Sequence, residues 1–185
     1  MDFPFKNFIQ VAGVIDEIEA RMLIGQGVDF LGFPLHLDVN QEDLTEQETV
    51  NIVKSLCPFT CNVLITYLDT ATEIANMCCN LGINIVQLHG NILPLELLKL
   101  KAIAPNLWII KSLIVRKKNF TELETTVNNL GTCIDAFIID TFNPVTGASG
   151  ATGKIHDWKI SRKIVTLSTR PIILAGGLNP KNVQK

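Results

Sequence analysis

An apolar run, Ala136-Phe137-Ile138-Ile139, ends in a carboxylate at Asp140, and a loop rich in Gly, Ser and Thr follows before the next acid, Asp157. This is the pattern of a buried strand that delivers one acid to its C-terminal end. Burying a lone carboxylate costs several kcal/mol unless it is paired or partly wet, so Asp140 is either a cap for the following loop or a group that does chemistry. The loop favours chemistry. Gly147, Gly150 and Gly153, with Ser149 and Thr152, leave backbone N–H groups open to an anion, although their spacing is neither a P-loop nor a dinucleotide fingerprint.

The elements that must position such groups can be read along the chain. At 185 residues and 47% hydrophobic, the chain suits one domain, 1–185, with a single well-buried core. Its formal charge of −2 offers no basic footprint, which argues against nucleic acid as a partner. No apolar run approaches the length of a spanning helix and no secretory leader is evident, so a cytoplasmic protein without a membrane partner is expected. Five cysteines without an export signal read as reduced thiols. Cys57 and Cys61 resemble half a zinc site, but Cys78 and Cys79 are adjacent on an expected helix and diverge by about 100°, so no metal is expected.

Strand-length apolar blocks alternate with amphipathic, helix-length segments. Strands are expected at 8–14, 28–33, 61–67, 84–89, 107–115, up to Asp140, and at 171–175. Asp16 should cap the first helix, Thr45 and Glu48 should form a capping box on the second, and Gly82 should end the third in a left-handed conformation. Seven such strands separated by single helices imply an α/β fold with a parallel sheet. With polar or glycine residues at nearly every strand end, the expected fold is a (β/α)8 TIM barrel, of which about seven βα strands are present.

Several of those strand ends resemble the phosphoribosylanthranilate isomerase family: Val86-Gln87-Leu88-His89-Gly90, Ile110-Lys111-Ser112, Gly150-Ala151-Thr152-Gly153-Lys154 with Asp157-Trp158, and Pro171 through Pro180. The resemblance implies an Amadori rearrangement of an aldosylamine to a ketosamine in tryptophan biosynthesis, without a cofactor. It places the general acid at Asp140 and a phosphate-binding turn at Gly176 and Gly177. Gly150 to Gly153 match the family's mobile loop, adding Gly150 and Gly153 to the phosphate candidates. Gln87 and His89 match pocket-lining positions, and the small-molecule partner would be a phosphoribosyl substrate. Oligomeric state is left open.

Three departures accompany the resemblance. The family's first strand ends in Lys-Ile-Cys-Gly and its cysteine is the general base, whereas this chain has Gln10-Val11-Ala12-Gly13. The loop after strand two, where the family has an arginine for the anthranilate carboxylate, reads PLHLDVNQEDL, with acids and no cation. The sequence ends soon after strand seven, so an eighth strand is expected to be missing. His36, with an unperturbed pKa near 6.5, is a candidate replacement base if its loop folds inward; the alternative is a solvated loop histidine. Lys111 either pairs with Asp140, contributes to substrate binding, or forms a Schiff base in an aldolase-like reaction. A barrel that binds a sugar phosphate without turnover, or acts on an altered substrate, is a further reading.

Overall fold

The computed structural model describes residues 8–39, 41–56, 61–150 and 152–183. Strands and helices alternate as β1 (Gln10–Ala12), α1 (Glu17–Gly25), β2 (Phe30–Pro34), α2 (Glu46–Leu56), β3 (Cys61–Thr66), α3 (Ala71–Leu81), β4 (Ile85–Leu88), α4 (Pro94–Ile103), β5 (Trp108–Val115), α5 (Phe120–Leu130), β6 (Ala136–Thr141), α6 (Trp158–Leu167) and β7 (Ile172–Leu174). The chain forms two compact units, Met1–Ile109 and Ile110–Lys185, and the division falls inside β5 rather than in a linker.

Local signals set the helix ends. Asp16 accepts a hydrogen bond from the Glu19 amide at 2.7 Å and starts α1. Thr45 and Glu48 exchange their bonds, Thr45 N–H to Glu48 Oε2 at 2.8 Å and Glu48 N–H to Thr45 Oγ1 at 3.3 Å, and so start α2. Gly82, at φ +70°, ends α3.

In the first unit, β1 to β4 pair in sequence order and in parallel, with Ala12 opposite Gly32 and Ile65 opposite Gln87. The first strand is shorter than expected. Gly13, at φ +82°, turns the chain, and the amides of Gly13 and Val14 converge on the single carbonyl of Gly32, which ends the ladder after Ala12. In the second unit, β5, β6 and β7 pair in parallel, with Ile114 opposite Asp140 and Ile139 opposite Leu174. Strand β6 runs one residue past the expected end, so Asp140 lies within the ladder and Thr141 closes it.

All residues of β4 and β6 are buried, which is why these strands carry near-continuous apolar runs. At about 25 cal/mol per Å² of apolar surface, such burial is the main stabilisation of each unit, and it fixes the polar exceptions Gln87, Asp140 and Thr141 in place.

Candidate active site

The second unit assembles one cluster around Asp140. The ladder from β6 to β7 continues beyond Leu174, with the Ala175 amide donating to the Ile139 carbonyl at 2.9 Å, and this brings Gly176 abreast of the end of β6. A Cβ at Gly176 would lie 2.6 Å from Thr141 Cγ2, 3.3 Å from Asp140 Oδ1 and 3.4 Å from His156 Nδ1. Only a residue without a side chain fits there, and its φ of +87° makes the same demand. The expected acid and the expected anion turn therefore share one corner of the molecule.

Asp140 is buried, and both of its hydrogen bonds come from Thr141: the amide donates to Oδ1 at 2.7 Å and the hydroxyl at 3.5 Å. Burial pushes its pKa up, and the two Thr141 donors oppose that rise without cancelling it. A carboxyl held above its ordinary range keeps its proton further toward neutral pH, as a general acid requires. Oδ2 takes no hydrogen bond among the described residues, which leaves one oxygen for a ligand.

The loop from β6 to α6 is built from the same corner. Phe142 and Ser149 form an antiparallel bridge, Asn143 N–H donates to Ala148 O at 2.9 Å, and Gly147 N–H donates to Asn143 O at 2.8 Å. Lys154 Nζ holds Asn143 Oδ1 at 2.8 Å, and the hydroxyls of Thr141 and Thr152 are bonded to each other. The Gly150 amide is spent on the Thr141 carbonyl at 2.8 Å. Gly153 is exposed at φ +62° with open space around it. Gly177, at φ +63°, packs against the loop: a Cβ there would lie 2.7 Å from the Lys154 carbonyl carbon and 2.8 Å from its oxygen. Ala151 lies outside the described residues.

His156 follows, half-buried, with Nε2 at 2.5 Å from Ser161 Oγ on α6 and with Nδ1 buried and unpartnered among the described residues. Sequence reasoning passed over it. The only available signal was its place immediately before the Asp157 cap, which accepts from the Lys159 amide at 2.9 Å.

Lys111, on β5, is 7% exposed and donates to the Ser112 carbonyl at 3.1 Å and to Ser112 Oγ at 3.4 Å. Burial pulls its ammonium down to about 8. Asp140 takes its bonds from Thr141 instead of forming the ion pair with Lys111 that strand order suggested.

The first unit assembles a second polar group. Gln10 Nε2 donates to Gln87 Oε1 at 3.3 Å, Gln87 Nε2 lies 2.6 Å from His89 Nε2, and the rings of Tyr67 and His89 are tilted with centroids 5.7 Å apart. Gln87 and His89 are both buried. Gly90 has no room for a side chain, because a Cβ there would collide with the Tyr67 carbonyl. Ala12 is exposed at the end of β1. His36 does not point inward: its ring is exposed, lies 3.0 Å from Glu46 Oε1, and is carried by a backbone at φ +56°. No group of three or more metal-ligating side chains occurs among the described residues. Cys78 is a buried thiol pushed up to about 12, and Cys57 lies outside the described residues. Among the described residues no helix is long and apolar enough to cross a membrane.

The family model described as N-(5′-phosphoribosyl)anthranilate (PRA) isomerase matches residues 23–185. Among curated proteins, N-(5′-phosphoribosyl)anthranilate isomerase 2 of Methanosarcina mazei is 35% identical over 95% of this chain and 76% of its own length. The crystal structure of phosphoribosyl anthranilate isomerase from Thermotoga maritima superposes with a TM-score of 0.75 at 23% identity, covering 95% of this chain and 79% of that one. A second solved structure, a phosphoribosyl anthranilate isomerase in complex with reduced 1-(o-carboxyphenylamino)-1-deoxyribulose 5-phosphate, superposes with a TM-score of 0.72 at 21% identity, covering 95% and 78%. These likenesses establish the (β/α)8-barrel fold, of which seven strands are described here.

Proposed function

Because the chain belongs to the N-(5′-phosphoribosyl)anthranilate isomerase family, we propose that it acts in tryptophan biosynthesis, in the cytoplasm, as an isomerase of a phosphoribosyl amine. Asp140 is the general acid. It gives its proton to the ribose ring oxygen as the C1–O bond breaks, which opens the ring to an iminium; loss of the C2 proton then gives an enolamine, which tautomerises to the ketosamine. The observation that carries this reading is the 3.3 Å between the Asp140 carboxyl and the side-chain position of Gly176. A carboxyl beside a turn whose backbone conformation suits an anion is what an acid acting on a sugar phosphate needs. Gly176 and Gly177 take the phosphate, and Lys111 contributes to substrate binding. The Gly150 amide is already engaged, so Gly150 shapes the loop while Gly153 remains open to the phosphate.

The resemblance puts the base at Ala12, a methyl that takes no proton, and His36 is turned to Glu46. Loss of a general base is typically worth about 10²–10⁴-fold in rate, so slow turnover is the expectation. Conversion of phosphoribosylanthranilate, followed by loss of its fluorescence with the chain and with Asp140→Asn, tests the reading. Slow conversion that Asp140→Asn abolishes supports it, and conversion unaffected by Asp140→Asn overturns it.

A further inference from the structure

Gly176, by lacking a side chain, lets two titratable groups close in on its α-carbon. The place of its absent Cβ is 3.3 Å from Asp140 Oδ1 and 3.4 Å from His156 Nδ1. The His156 ring is anchored on its far side, where Nε2 lies 2.5 Å from Ser161 Oγ. Ser161 is buried and its hydroxyl has no other hydrogen bond among the described residues. A hydroxyl carries a single hydrogen, and leaving that donor unmet in a buried place costs about 1–3 kcal/mol. The hydroxyl therefore donates to Nε2, and the neutral ring carries its own proton on Nδ1. That N–H is buried, has no partner among the described residues, and approaches the same side of Gly176 as the Asp140 carboxyl.

We propose that His156 is a positioning residue for Asp140: its Nδ1–H, directly or through one bridging water, stabilises the carboxylate that forms as Asp140 delivers its proton. The inference rests on Asp140 being the acid of the proposed reaction. Charge develops on Asp140 in a desolvated corner, and a donor fixed beforehand beside it lowers the cost of that charge without reorganisation. The other charged groups of the corner do not substitute. Lys154 gives its ammonium to Asn143, and Lys111 on β5 gives its ammonium to Ser112. Asp157 is an anion beside His156, and the segment from Ile172 to Gly177 carries no charge. Asp157 favours the imidazolium, burial opposes it more strongly, and the ring remains neutral near pH 7.

The sign is specific. A donor to the carboxylate lowers the Asp140 pKa against the rise caused by burial, so removing the donor raises it. Carboxyl-carbon NMR titration of the full chain, with the Asp140 signal identified by its loss in Asp140→Asn, reads this without any turnover. His156→Phe keeps the ring volume and loses the donor, and should move the Asp140 titration up by about one unit. His156→Asn restores an N–H near the Nδ1 position and should leave the midpoint where it is, with cooperative melting as the check on folding in both. An unchanged or lowered midpoint in His156→Phe overturns the proposal, and so does an equal rise in both variants, which marks a change in burial rather than the loss of a donor. Failure of the reaction reading shows separately, as turnover that Asp140→Asn does not abolish.

Discussion

Gln10 on β1 donates through Nε2 to Oε1 of Gln87 on β4 across 3.3 Å, although two strands lie between them. In a flat sheet those strands would stand about 14 Å apart, since neighbours are spaced by 4.7–4.9 Å. The four strands of the first unit must therefore curl, with both amides on the concave face. Gly32 is the hinge of that approach, because a Cβ there would lie 2.7 Å from the Gln10 amide nitrogen. Gln87 passes the connection on to His89 at 2.6 Å.

This bond should be measurable as a coupling. Gln87 is 3% exposed, so Gln10→Ala strands a buried acceptor and should cost about 1–3 kcal/mol in urea unfolding. The double variant with Gln87→Leu should cost less than the sum of the two single changes by at least 0.5 kcal/mol, roughly the lower bound for groups in one network. Strict additivity would mean that the curl is held by apolar packing alone.

Asp140→Asn should separate activity from stability. Activity should fall by about 10² or more. The folded pKa of Asp140 is raised by burial, so the stability linked to this group is fully present below the ordinary aspartate range and is lost as pH rises through the folded value. An amide carries no charge and still offers an oxygen to Thr141. The variant should therefore melt higher than the parent at pH 7, with the advantage vanishing toward pH 3; a lower melting temperature at pH 7 contradicts the burial argument.

The paired elements and the cluster around Asp140 were legible in the sequence for different reasons. The starts of α1 and α2 follow from the caps at Asp16 and at Thr45 with Glu48, which are local signals. The meeting of Asp140 with Gly176 followed from placing both at strand ends, a rule of topology. His156 was not legible, because its place depends on the register of β7 on β6 and on the missing side chain at residue 176. His36 and Lys111 were readable as candidates, but the directions of their side chains, toward Glu46 and Ser112, are set by tertiary packing that residue type does not encode.

Glycine substitutions in the site should rank by what they meet. Gly147, at φ +76°, has open space, so Gly147→Ala should cost only backbone strain, about 1–2 kcal/mol. Gly177→Ala adds a 2.8 Å clash with the Lys154 carbonyl, a backbone atom that cannot swing aside. Its loss of stability should be at least twice as large, and it should weaken phosphate binding where Gly147→Ala does not. Isothermal titration with inorganic phosphate and urea unfolding measure the two effects.

Ala12 should accept a thiol. It is exposed at the end of β1, where the Gly13 turn directs the chain away, so Ala12→Cys adds one polarizable atom without overpacking a core. Turnover of phosphoribosylanthranilate should rise at least about tenfold, part of the 10²–10⁴ that a general base supplies. A variant that folds as the parent does but gains nothing would move the base of this chain elsewhere.

Lys111 sets a pH signature of its own. Its ammonium is held down to about 8, so between pH 8 and the ordinary lysine range the unfolded chain binds a proton that the folded chain does not. Stability linked to this group is present above the ordinary range and is lost as pH falls through 8. Relative to Lys111→Met, the parent should therefore gain stability as pH rises over that window, by roughly 3 kcal/mol at most. Urea unfolding of both proteins at the two ends of the window measures the gain. Its nitrogen is directed at the Ser112 carbonyl, 3.1 Å away, rather than held for attack on a carbonyl substrate. Borohydride reduction in the presence of ribose 5-phosphate should accordingly leave Lys111 unmodified by mass spectrometry, and an adduct on that residue would restore Schiff-base chemistry as the function of this strand.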